Sequence, residues 1–410
     1  MGPSDHEMER ELAEVLGAMA EIAAAGAGEP SDALEAEQWA SCLVGTWRVS
    51  PLRDPDADQL FGSGLARALE GLGDPGSLAA LRALAAVGEE SYASLARQAA
   101  DRLARTGVSE PAWAGDLGRA RPVAALLMCE YDGFDDGVSV MVEFAAPGAE
   151  PHTLGIYIDH NLGGPVKDVF LAGPLASVRE QFERRGARER LLQLCELDLA
   201  EARTRVERAL EILDHAFDPQ VNEDVRPLRA LVRARMRMLP EGGAAPQEDR
   251  EINPEERAQL LAEFLDSPEG QHWRGDEDAA DVAGLAIDFG ADYNHGGPLR
   301  WSPVVVEIFM TGWLARKALR EPRFFERVPD VLRDWVKFAG HRRAVPAAAL
   351  RGAVVAVRSY RGEMMQAVND PEAWGPAKTF ALAAQQAGVD LSDPDAVGAF
   401  VEHYNEGLAA

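Results

Sequence analysis

Lysine is nearly missing from this 410-residue chain: of its 41 basic residues only Lys167, Lys317, Lys337 and Lys378 are lysine. Cysteine is scarce too. Cys42, Cys129 and Cys195 lie far apart among apolar residues, with no CxxC and no Cys/His pairing. They read as buried thiols, which excludes a disulfide framework and a zinc knuckle. Long apolar runs are absent, since a stretch such as Val304–Met310 falls far short of the ~20 residues a membrane helix needs. The start, Met1–Glu11, is polar and acidic, unlike a secretory signal, so the cytoplasm is the expected compartment. Also missing are the Walker loop, the dinucleotide fingerprint GxGxxG, the GxSxG elbow and the HExxH pair. Asp288-Phe289-Gly290 spells the kinase magnesium tripeptide, but the glycine loop, strand lysine and HRD loop that must accompany it are not there.

What is present points to two or three globular domains. Hydrophobic residues make up 47% and charged residues 27%, enough to bury ordinary cores. The net charge of −27 argues against nucleic acid and anionic membrane as partners. Charge is unevenly spread. Residues 316–361 hold twelve Arg and Lys against four acids, a local charge of +8. A basic island in an acidic chain calls for an anionic neighbour, either a ligand or the protein's own acidic surface. Protein docking therefore ranks ahead of nucleic acid.

Apolar periodicity divides the chain. Residues 6–107 read as helices: Glu9–Ala24, then a Leu65, Leu69 and Leu72 stripe ending at Gly73, then Ser77–Val87 and Tyr92–Leu103. From 123 the period becomes two. Val123–Glu130, Val138–Phe144 and Leu154–Ile158 predict a three-stranded antiparallel meander. Helix returns over 176–239, with Arg190–Phe217 as one long element followed by Val225–Leu239. Leu239–Glu255 is a Pro, Gly and charge-rich linker, and 254–410 is helical again. The fold class is thus mainly α with a small α+β segment. The expected domains are a helical one at 1–118, a small sheet domain at 119–239, a linker at 240–255 and a helical bundle at 256–410.

One stretch gathers unusual chemistry: residues 158–168, Ile-Asp-His-Asn-Leu-Gly-Gly-Pro-Val-Lys-Asp. In a meander the first connection and the end of the third strand share a sheet edge. That would bring Asp132, Asp135 and Asp136 near Asp159 and His160, a donor set suited to a hard or borderline divalent metal. Asp159, His160, Asn161 and Lys167 are the candidate catalytic groups. Lys167 with the amides of Gly163 and Gly164 would cradle a phosphate. The plainer reading makes the Asp-Gly pairs turn residues and Lys167 a surface lysine paired with its neighbouring acid. Arg226, Arg229, Arg233 and Arg237 form one helical stripe and are further anion-binding candidates. The segment His160–Pro165 is echoed at Tyr293–Pro298, each an Asn-x-Gly-Gly-Pro, which a chain with 38 Gly and 25 Pro can produce by coincidence. Asp288, Asp292 and His295 would make a second polar pocket if they converge. Glu307, alone in an apolar helix, is expected to pair with a nearby arginine.

The paired short helices of 6–107 resemble HEAT-like helical hairpins, with at most two such units. Ile158–Asp168 and Ser302–Phe309 resemble stretches of uncharacterised proteins of GC-rich actinobacterial type, and that resemblance implies no activity and no residue's role. Two functional readings follow. The first is a cytoplasmic interaction or regulatory protein acting through helical surfaces of uneven charge. The second is an enzyme or ligand-binding protein with a metal or phosphate site at the Asp159–Lys167 turn.

Overall fold

Helix dominates the computed structural model, which describes residues 5–47, 55–130, 132–189, 192–216, 221–246, 250–389, 397–398 and 400–401. Two compact units divide the chain. One comprises residues 1–130, 137–160 and 164–247, the other 131–136, 161–163 and 248–410. Among the described residues no helix is long and apolar enough to cross a membrane.

The first unit opens with α1 (Asp5–Gly26), α2 (Ala33–Trp47), α3 (Pro55–Leu72), α4 (Pro75–Val87) and α5 (Glu90–Arg105). The start of α4 shows why the sequence breaks there. Asp74 accepts from the Ser77 amide, Ser77 returns a bond to the Asp74 backbone, and Pro75 occupies the first turn. Alanine and leucine fill the core between these helices, so backbones pack closely around the buried Tyr92.

Five strands follow: β1 (Arg121–Glu130), β2 (Gly137–Ala145), β3 (His152–Asp159), β4 (Val166–Ala172) and β5 (Leu192–Leu197). All neighbours are antiparallel, in the order β4-β3-β2-β1-β5. The predicted meander is the middle of this sheet. Two edge strands extend it, and the long helix expected over Arg190–Phe217 is instead β5 followed by α7 (Leu199–His215). Leu192, Cys195 and Leu199 fall at helical spacing, but the open edge of β1 takes up residues 192–197 and Asp198 caps a later helix start. The face carrying Val140, Val142, Leu154 and Ile156 packs under α7 and α8 (Val225–Met236). On the opposite face, Leu126 and Met141 meet Leu175 and Val178 of α6 (Leu175–Glu189). Gly155 must be glycine, because a Cβ there would come within 2.2 Å of the Phe170 ring.

Helix α8 also belongs to the N-terminal core, through Ala230, Leu231 and Ala234. Ser41 of α2 donates to the Pro227 carbonyl at 2.6 Å and accepts from the Leu231 amide at 3.0 Å. Its hydroxyl thereby bridges two residues four apart on α8, the separation of a normal helical bond.

The second unit contains α9 (Pro254–Asp266), α10 (Glu277–Asp292), α11 (Pro303–Glu307), a π-helical turn (Ile308–Trp313), α12 (Leu314–Lys317), α13 (Pro322–Arg342), α14 (Ala347–Ser359), α15 (Arg361–Asn369) and α16 (Pro376–Gln386). Phe264, Trp301, Phe309 and Trp335 anchor its core. Pro329 lies inside α13. An interior proline costs a helix ~3 kcal/mol, and the buried flank Phe325, Val328, Leu332, Trp335 and Val336 offsets that. Helices α14 and α15 meet at Tyr360. Asp393-Pro394, which the sequence reads as the opening of a last helix, lies outside the described residues.

Candidate functional site

The second unit carries a buried arginine around which its loops are built. After α10 the chain turns through Gly296 and Gly297, at φ +84° and +79°, a backbone region open to glycine and closed to most side chains. Gly290 lets this turn sit against α10, where a Cβ would come within 2.3 Å of the Pro298 backbone. Asn294 donates its side-chain amide to the carbonyls of Gly297 (3.1 Å) and Arg300 (2.7 Å), closing the loop on itself.

Arg300 has a side chain only 1% exposed. Its Nη2 donates to Asn161 Oδ1 (2.9 Å) and Asn294 Oδ1 (2.8 Å), the asparagines of the two Asn-x-Gly-Gly-Pro segments. Nη1 donates to Asp136 Oδ1 at 2.7 Å and, more weakly, to the carbonyls of Phe134 and Asp135 at 3.4 Å each. Nε donates to the His295 carbonyl. All three guanidinium nitrogens are thus engaged, as a buried guanidinium requires. Burial pushes the Asp136 carboxyl up, with the Ser302 hydroxyl and the Arg300 charge pulling the other way. Burial likewise lowers Arg300, opposed by Asp136 and Asp135.

Beside this hub lies a cleft of about 410 Å³, walled by Ile252, Leu260, Pro298 and Leu299 and edged by three arginines and the Gly296-Gly297 turn. Arg250 pairs with Glu256 and Arg342 with Glu263, both at 2.6 Å. Arg343 differs. It reaches only the carbonyls of Gly296 (3.3 Å) and Gly133 (3.4 Å), and among the described residues no carboxylate lies within ion-pair distance of it.

The residues singled out in the sequence are distributed as follows. Asp159 is buried at 1% exposure, and Lys167 reaches it there. The lysine's partner is therefore Asp159 and not the adjacent Asp168, which accepts from the Val169 amide. Gly164 donates to the Asp159 carbonyl and Asp159 donates to that of Pro165, so the 159–165 loop is tied at its base. His160 begins a short 3-10 turn, His160–Leu162, and Gly163 and Gly164 both have positive φ. Asp132 accepts from the Phe134 amide, Asp135 is exposed at φ +59°, and Asp136 holds Arg300. Asp288 and Asp292 do not gather a polar pocket with His295; both bind Arg257. Glu307 accepts from Tyr360 at 2.7 Å instead of pairing with an arginine, a bond that pushes the tyrosine up to about 12.

The stripe on α8 is tied to its own unit, with Arg229 and Arg233 half-buried and Arg226 and Arg237 exposed. Arg226 donates to the Gly45 carbonyl, Arg229 and Arg233 converge on the buried Asp214, and Arg237 donates to the Gly88 carbonyl and lies near Glu89. The basic island is met by acids of its own unit: Arg320 by Asp281, Arg327 by Asp276, Lys337 by Asp334 and Arg333 by Asp330 and Asp334. Sequence reasoning missed Arg300, and it named Arg343 only as one of the twelve basic residues of the 316–361 island. The repeated Asn-x-Gly-Gly-Pro was the available signal for the first, since both asparagines meet on one nitrogen. Comparison with family models, curated proteins and solved structures finds no match for this chain.

Proposed function

We propose that the protein, acting in the cytoplasm, binds a small oxyanion with an apolar body, a carboxylate or phosphate monoester, in the cleft of the second unit. One observation carries this reading: Arg343 lines the cleft with weak carbonyl contacts, while the arginines beside it are matched by glutamates. Guanidinium geometry suits two parallel bonds to an oxyanion. Leu260, Ile252 and Pro298 supply apolar surface for the remainder of the ligand.

Differential scanning fluorimetry of the full chain with inorganic phosphate, phenyl phosphate and octanoate tests it. A ligand present at a hundred times its Kd adds about 2.7 kcal/mol to the folded state. The expected result is a rise in Tm that is greater for the amphipathic anions than for phosphate and is lost in Arg343→Gln. An equal response in wild type and variant overturns the reading.

A second reading, docking of a partner helix, is favoured by Val15 and Ile22, 50% and 71% exposed on α1 and one heptad apart. Sizing of the full chain at rising concentration, with Ile22→Glu for comparison, checks it. Identical monomeric profiles for both would speak against self-association through this face.

A further inference from the structure

We propose that Asp135 and His295 hold a divalent metal ion in the second unit, at a place distinct from the arginine contacts of the cleft. A carboxylate oxygen of Asp135 and a ring nitrogen of His295 lie within 4.8 Å of each other. Two ligands about 2.1 Å from a tetrahedral ion stand about 3.4 Å apart. Rotation of the exposed Asp135 side chain can close the difference without moving the backbone.

The backbone is what makes the pair more than two neighbours on a surface. Arg300 donates to the carbonyl of His295 through Nε and to the carbonyl of Asp135 through Nη1 at 3.4 Å. A single buried guanidinium thus touches the main chain of both ligand residues, firmly at His295 and weakly at Asp135, and Asp136 and the two asparagines fix that guanidinium in turn. Ligand pairs held this way from behind are preorganised, so little entropy is lost when a metal arrives.

Donor chemistry narrows the ion. One imidazole, one carboxylate and water suit zinc, cobalt, nickel or manganese, while calcium asks for six or more oxygens. The local charge permits it: Asp132, Asp135 and Asp136 exceed Arg300 and Arg343 by one negative charge. Water would complete the coordination sphere, leaving positions open for exchange. Gly296, the next residue after His295, lines the cleft, so the ion and Arg343 would act on neighbouring parts of one ligand. The metal inference does not need that ligand and survives if no anion binds.

Isothermal titration of chelator-stripped full-length protein with zinc chloride or cobalt chloride is the test, with no anion ligand added. Wild type is expected to bind one equivalent, with a cobalt absorption band showing nitrogen ligation. His295→Gln and Asp135→Asn are expected to weaken binding tenfold or more with the apo Tm unchanged. Asparagine tolerates the positive φ at 135, so that variant keeps the loop. If it nevertheless misfolds, His295→Gln still decides. Arg343→Gln should bind metal as wild type does, which separates this inference from the anion reading. Absence of binding, or equal binding in wild type and both ligand variants, overturns it.

Discussion

Arginines gather in two places in this molecule, on α8 and around the cleft of the second unit, and what they face is opposite. On α8 the guanidiniums of Arg229 and Arg233 meet Asp214, whose side chain is 0% exposed. Arg226 and Arg237 donate to carbonyls at or just beyond the C-terminal ends of α2 and α4, where a helix leaves its last acceptors unmet. These arginines close the first unit. Around the cleft, Arg250 and Arg342 are paired with partly exposed glutamates, and among the described residues Arg343 has only two long carbonyl contacts. Three arginines edge the cleft and four form the α8 stripe. The burial of the acceptor separates a structural arginine from one available to a ligand.

The comparison breaks most visibly at Asp214. Removing one partner of a buried ion pair costs about 3–5 kcal/mol, because the remaining charge has no solvent to turn to. Asp214→Ala leaves two guanidiniums in that position. We expect a loss at the upper end of that range, read as a drop in the urea midpoint of the first unit. A loss under about 1 kcal/mol would mean the α8 stripe is as exchangeable as a surface network.

Next in size is an acid-limb effect at another α8 residue. Arg235 is 2% exposed, donates to Glu37 and stacks over Phe144, which also stacks on His152. Burial first, and then the Arg235 charge, pull His152 down to about 4. An unfolded histidine titrates near 6.5, so the unfolded chain binds the proton more readily. Stability from this group is therefore complete above about pH 6.5 and is lost as pH falls toward about 4. Because the imidazole is only partly buried, the loss is a fraction of what a fully enclosed ring would give. His152→Leu should flatten the thermal stability profile across that window. An unchanged profile would show that neither burial nor the Arg235 charge holds the ring below its ordinary value.

How much of this was legible in the sequence depends on the range of the interaction. Helices with a start signal such as Asp74-Pro75 and the period-two strands were readable, because neighbours in sequence determine them. Strand β5 was not, since Leu192, Cys195 and Leu199 fit a helix equally well and only the distant edge of β1 decides. Strand β4 hid behind Lys167 and Asp168. At the site, the repeated Asn-x-Gly-Gly-Pro was visible as a pattern. Its meaning required Arg300, which sits 139 positions from one of the asparagines it binds. Asp135 was named as a metal candidate from its loop. His295 as its partner depends on where the second unit folds back, which no local pattern encodes.

The smallest expected effect sharpens the comparison from the other side. Arg343→Gln removes a cation whose contacts are two carbonyls at 3.3 and 3.4 Å, near the limit of a useful hydrogen bond. Surface changes away from buried features stay within about 0.5 kcal/mol, so the apo protein should unfold at nearly the wild-type midpoint. A neutral result is informative here, because it would show that the fold does not depend on this charge. If the midpoint instead falls as far as in Asp214→Ala, Arg343 is another α8-type arginine: its carbonyl contacts to Gly133 and Gly296 hold the loops together, and the cleft loses its claim as a binding site. Measured together with the anion-induced Tm shift, the apo midpoint therefore distinguishes a residue kept for the ligand from one kept for the fold.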